Sequence, residues 1–174
     1  SDLTQNTAID DLRIGTSYAD VAPSTGGLAF NTAPVLKADA SPTLSAISED
    51  APAPVGAVGT LVSDLVDLDS ATGGLDNVTD PDSGAVTGIA ITAIASTNGS
   101  WHYTTDGGLQ WLVLNTASDS DALLLAANDS TRVYFRPQGD FAGAVSGAFT
   151  FRAWDQTTGT AGLRADTSTN GGDS

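Results

Sequence analysis

Cysteine is absent from this chain, and lysine, glutamate and histidine occur once each, as Lys37, Glu49 and His102. The missing thiols exclude a disulfide framework, a thiol nucleophile and a thiolate zinc site within these residues. They leave the compartment open, since exported proteins without disulfides are common. Bases are few, 6 against 21 acids, for a net charge of -15. Phosphate backbones and anionic headgroups attract Lys and Arg patches, so this balance argues against nucleic-acid partners and makes cations the more plausible ones. Long hydrophobic runs are missing too: no stretch approaches the roughly 20 apolar residues of a membrane helix, and no membrane insertion is expected. The opening Ser1-Asp2-Leu3-Thr4 lacks the basic and apolar regions of a secretory signal, so an exported protein would carry that signal outside these residues.

What is present has the composition of one globular domain with loose ends: 174 residues, 40% hydrophobic, mean hydropathy -0.01. The acids are 20 Asp and a single Glu. Aspartate favours turns, where its short side chain bonds nearby backbone, whereas glutamate favours helix surfaces. Together with abundant Thr, Val, Gly and Ser, this predicts an all-β protein with its acids between strands.

Along the chain, Leu12 and Ile14 alternate about Arg13 as in a half-buried strand that cannot bury itself. Residues 24–35, with Gly26-Gly27 and Ala33-Pro34, read as a linker. Leu44, Ala46 and Ile47 predict a first strand, interrupted by the prolines of Ser48-Glu49-Asp50-Ala51-Pro52-Ala53-Pro54. Residues 58–66 suit a strand or one helical turn, 67–84 form a long acidic loop, and 85–94 form a strand apolar on both faces. Trp101 to Trp111 predicts a β-hairpin, with Trp101 and Tyr103 on one face, a tight turn at Asp106-Gly107-Gly108 and Trp111 on the returning strand. Residues 121–127 are a short helix or a buried strand. Residues 132–136 form a strand with Val133 and Phe135 inward and Arg132, Tyr134 and Arg136 outward. Residues 148–154 close the fold, with Phe149, Phe151 and Ala153 opposite Thr150, Arg152 and Trp154. Six or seven strands at this spacing point to a sandwich.

Calcium takes six to eight hard oxygens, which paired aspartates in a turn supply. Asp80-Pro81-Asp82 and Asp67-Leu68-Asp69 have that spacing, and Asp119-Ser120-Asp121 is a weaker case; solvated turn carboxylates are the competing reading. Trp101, Tyr103 and Trp111 have the chemistry to stack on a sugar ring, although hairpin aromatics more often pack in a core. His102 is expected to face solvent. No nucleophile-base-acid order, His-rich metal motif or phosphate-binding Gly loop is visible, so no catalysis is expected.

The succession of "SEDAP", Asp80-Pro81-Asp82, the Trp hairpin, Phe135-Arg136-Pro137-Gln138-Gly139-Asp140-Phe141-Ala142-Gly143 and the closing Ala153-Trp154-Asp155 resembles cadherin-like or immunoglobulin-like repeats of giant bacterial surface proteins and adhesins. The resemblance covers roughly residues 34–163. It implies an antiparallel β-sandwich of Greek-key type with about seven strands over 36–163, repeated in tandem, exported to the cell surface or medium, with calcium at the ends of the domain. No internal repeat lies within these residues. Carried over, the pattern places Glu49, Asp50, Asp80, Asp82 and Asp155 at one pole as metal ligands, although the cadherin signatures Asp-x-Asn-Asp-Asn and Leu-Asp-Arg-Glu are absent. Residues 1–23 resemble the last strand of a laminin-G or concanavalin-like, lectin-like domain; an N-terminal strand of the present domain is the other reading. Residues 164–174 read as a tail or the start of another linker. The expected function is a non-catalytic, calcium-stabilised structural or adhesion repeat. Its expected partners are neighbouring domains of the same chain and a cell-surface glycan or protein. The alternative is a carbohydrate- or protein-binding module using the Trp101, Tyr103 and Trp111 hairpin.

Overall fold

The computed structural model describes residues 31–37, 42–69 and 73–169. The expectations for residues 1–23 and for most of the linker lie outside the described residues.

Four strands have two residues: β1 Val35–Leu36, β2 Thr60–Leu61, β3 Val78–Thr79 and β10 Arg164–Ala165. The longer ones are β4 Gly88–Ile94, β5 Gly99–Thr104, β6 Leu112–Leu114, β7 Ala122–Ala126, β8 Arg132–Pro137 and β9 Phe149–Trp154. The described residues contain no α-helix, and a single 3-10 turn, Val62–Asp64, follows β2. Residues 58–66 thus combine both forms that their composition allows.

Two antiparallel four-stranded sheets, β10-β7-β4-β9 and β2-β8-β5-β6, pack as a β-sandwich, and β1 pairs with β3 beside them. No neighbours in the first sheet are consecutive in the chain, so every pairing there closes a long loop. Between the sheets lie Val62, Leu65, Ile89, Ile91, Trp101, Leu123, Leu125 and Val133, all buried. Each such aliphatic side chain contributes about 1.5–3 kcal/mol relative to exposure.

β7 resolves as a strand because both of its faces are covered. Leu123 and Leu125 enter the main core, while Ala122, Leu124 and Ala126 form a second cluster with Ala90 and Trp154. After β9 the chain folds back over this second face: the Trp154 indole donates to Thr158 O at 2.8 Å, and Gly162 N donates to Leu124 O at 2.7 Å. That return leads into β10, which pairs with β7. Strand pairing therefore continues past the expected boundary at 163, and Arg164 and Ala165 belong to the sandwich. At the other end, Asn31 to Val35, expected in the linker, also belong to the sandwich's compact unit.

The strand expected at Leu44 to Ile47 does not form. Residues 42–49 join no ladder among the described residues; Ser45 N donates instead to the Thr60 hydroxyl at 2.8 Å. Leu44 and Ile47, three apart, turn their side chains onto the core from an irregular segment. The described part of the long acidic loop is likewise tied to the sandwich by hydrogen bonds. Buried Asn77 accepts from Asp67 N at 2.8 Å and donates to Leu65 O at 2.9 Å, fastening the loop across β3.

Candidate functional site

Of the five expected metal ligands, three are tied to one short segment. Asp155 follows β9 and is largely buried; its Oδ2 accepts from Asn31 Nδ2 at 2.7 Å, and its Oδ1 accepts from Thr157 N at 3.0 Å and Thr157 Oγ1 at 2.7 Å. Burial works against ionisation of Asp155, but the donors of Asn31 and Thr157 outweigh it and hold the carboxyl below the ordinary aspartate value of 3.8. Asp82 Oδ2 accepts from Thr32 N at 2.7 Å, and Asp82 N donates to Asp80 Oδ1 at 2.9 Å, closing a tight Asx turn. Asn31 and Thr32 therefore join Asp155 to the Asp80-Asp82 turn. Asn31, Thr32, Asp155 and Asp166 also line one cavity of about 520 Å³. Asn31, Thr32 and Asp166 fall in the segments that read as linker and tail, where no periodicity marks a site.

Glu49 and Asp50 do not join this pole. They lie exposed in a turn where Ala51 N donates to Ser48 O, and Glu49 stands at a second, apolar cleft. With residues 42–49 outside any ladder, nothing carries Glu49 toward the end of β9. Among the described residues, no three His, Cys, Asp or Glu side chains come together to hold a metal. The other acidic pairs have structural partners. Asp119 bonds the Arg152 guanidinium at 2.8 and 3.1 Å, Asp121 bonds Arg164 at 3.3 Å, and Asp69 accepts from the Thr79 hydroxyl at 3.1 Å.

The hairpin forms as expected, with Tyr103 opposite Leu112 and Trp101 opposite Leu114. Its connection is longer than a tight turn, because Trp111 precedes β6 and belongs to the loop. Thr104 Oγ1 donates to Asp106 Oδ1 at 2.7 Å and accepts from Gly108 N at 3.1 Å, while Gln110 N donates to the same Asp106 oxygen at 3.0 Å. The three aromatic rings do not make one platform. Trp101 is 2% exposed, packed between Phe135 and Phe149 at ring distances of 4.9 and 5.2 Å, and Tyr103 also packs on that core. Trp111 lies on the outer side of the sheet, edge-on to Tyr134 at 6.0 Å, with its indole donating to Gly56 O at 3.1 Å.

Tyr134 points outward as expected yet is only 7% exposed, because residues 52–57 cross that face and its hydroxyl donates to Pro52 O at 3.2 Å. His102 is half-covered rather than free in solvent, 6.5 Å from the Tyr134 ring. Desolvation, aided by the charge of Arg136, outweighs its bond with the Ser100 backbone and lowers its pKa below 6.5.

The described residues thus define an all-β protein of two packed antiparallel sheets, with an acidic pole beside the Asn31–Thr32 segment and an apolar cleft elsewhere. Comparison with protein-family models, with curated proteins and with solved structures finds no match for this chain.

Proposed function

We propose that this chain is a non-catalytic structural or adhesion module of a large secreted bacterial surface protein, stabilised by calcium at the pole of Asp80, Asp82 and Asp155. The observation that carries this reading is the pair of carboxylates holding Asn31 and Thr32, where the chain enters the sandwich. A module that fixes its incoming segment transmits a defined geometry to neighbouring domains of the same chain. The oxygen chemistry suits calcium, a hard cation bound by carboxylates, carbonyls and water. The acids there do not converge as a threesome, so calcium would also draw on main-chain, hydroxyl or water oxygens. Asp155 Oδ2 and Asp82 Oδ2 each accept one hydrogen bond among the described residues, so each keeps a lone pair for the ion while Asn31 and Thr32 hold the carboxylates in place.

A glycan or protein at the cell surface remains the adhesion partner in this reading. The hairpin alternative is weakened, since Trp101 and Tyr103 face the core and Trp111 alone stands outside it.

The test is the unfolding midpoint of the full chain in millimolar calcium, in magnesium at matched ionic strength, and in chelator. A rise specific to calcium, reduced in Asp82→Ala and in Asn31→Ala, supports the site. Equal midpoints in the three solutions would sink the calcium assignment. Asp155→Asn serves as a second variant because it keeps the shape of the buried group.

A further inference from the structure

The strongest feature outside the acidic pole is a cleft of about 990 Å³ between the sheets, at the side where β9 is an edge and β2 covers only the start of β8. Four of the chain's five phenylalanines, Phe135, Phe141, Phe149 and Phe151, line it together with Trp101. Its walls include residues 42–49 and 141–148, neither of which belongs to a strand. Neither wall is held in a ladder among the described residues, and segments without ladder bonds part more readily than paired strands.

The volume lies at the upper end of the range of small-molecule sites. Among the described residues, Glu49, exposed at the cleft, is its one charged lining residue, and no lysine or arginine lines it. Aromatic faces carry negative π density that attracts apolar cations. A carboxylate at the mouth and a chain charge of -15 act in the same direction and disfavour anionic amphiphiles.

We propose that this cleft binds an elongated apolar molecule with a cationic head, the tail along the half-buried Phe141, Phe149 and Phe151 and the head toward Glu49. The probe is decyltrimethylammonium below its micelle concentration, titrated into the full chain by calorimetry, with decanoate and decanol as the anionic and neutral analogues. Saturable binding of the cation is expected, about tenfold tighter than that of decanoate. Glu49→Gln should weaken the cation by no more than about fivefold, because the residue is exposed, and leave decanol unchanged. Val145→Trp fills the cleft from an irregular wall and should abolish binding of cation and decanol alike, with an unchanged circular-dichroism spectrum. That variant keeps the net charge, so cation binding that survives it is bulk electrostatic attraction and overturns the proposal. So does decanoate binding as tight as the cation's, or no saturable binding of any of the three.

Discussion

Trp101 and Trp111 sit ten residues apart on one hairpin and have opposite surroundings. Trp101 bridges the sheets, with Phe149 edge-on at 88° and its indole donating to Ala95 O at 2.9 Å. Removing it leaves a cavity in the main core and orphans that carbonyl. Trp101→Ala should therefore cost about 3–5 kcal/mol in a urea unfolding titration. Trp111 is half-buried, bonded to Gly56 O and packed on Tyr134, so Trp111→Ala should cost about 1–2 kcal/mol. Equal losses would mean that the loop over Tyr134 is as integral to the core as the sheet interface. Asn77 makes a third case at this scale. Its two bonds satisfy Asp67 N and Leu65 O in a buried position, and Asn77→Leu leaves both unpaired. About 2–4 kcal/mol is expected from two lost partners, read in the same titration.

At the scale of the element, the hairpin loop separates backbone conformation from packing. Gly107 and Gly108 both have positive φ, 74° and 90°. A Cβ on Gly107 would meet open space, whereas one on Gly108 would collide with the Gly56 backbone. Gly107→Ala should cost about 1 kcal/mol, the ordinary penalty for an L residue in that region. Gly108→Ala must also push residues 56–57 off the sheet, so it should cost more and raise Trp111 exposure, measured by acrylamide quenching of its fluorescence.

The same contrast explains what periodicity could reveal. β4, β5, β8 and β9 were legible because alternation or a continuous apolar run reports which faces are buried, and their faces meet sheets. Tyr134 and His102 lie on a face that alternation marks as outer, and only the crossing of residues 52–57, a long-range event, covers it. Leu44 and Ile47 predict a strand that does not form, because their hydrophobicity is met by capping a cleft, with no strand needed. β3 and β10 are two residues long, too short for a pattern. Of the acidic pole, the Asp80-x-Asp82 spacing and the Asp155 position were visible. The tie through Asn31 and Thr32 was not, since nothing in a polar dipeptide says which carboxylate it will meet.

Across the whole molecule, acidity acts through the few groups whose affinity for protons changes on folding. His102 is the described group whose pKa is lowered from a reference value near neutrality, 6.5. Its folded value lies below the unfolded 6.5, so the folded state takes up the proton less readily. Stability is full above 6.5 and declines as the pH falls through the folded value. His102→Gln should flatten the midpoint-versus-pH curve below pH 6.5. Asp155 acts lower down: its folded pKa lies below 3.8, so the stability it supplies is present above that value and lost as pH falls further. In Asp155→Asn the loss below 3.8 should be smaller than in the parent.

A net charge of -15, from 21 acids against 6 bases, must also repel itself in the compact state. Screening shortens the reach of that repulsion to about 8 Å at physiological ionic strength, so sodium chloride alone should raise the melting midpoint of the full chain at pH 7. That expectation decides how a calcium effect is read. A divalent ion that only screens moves the midpoint no further than magnesium at equal ionic strength, and it moves Asp82→Ala as far as the parent. An ion held at the pole adds a shift that grows with the logarithm of its concentration above its dissociation constant. The same added shift should shrink when Asn31 is replaced, because Asn31 holds Asp155 without being charged itself. A calcium response that depends on this neutral side chain separates a built site from the general relief of repulsion, and one that ignores it assigns the whole effect to charge.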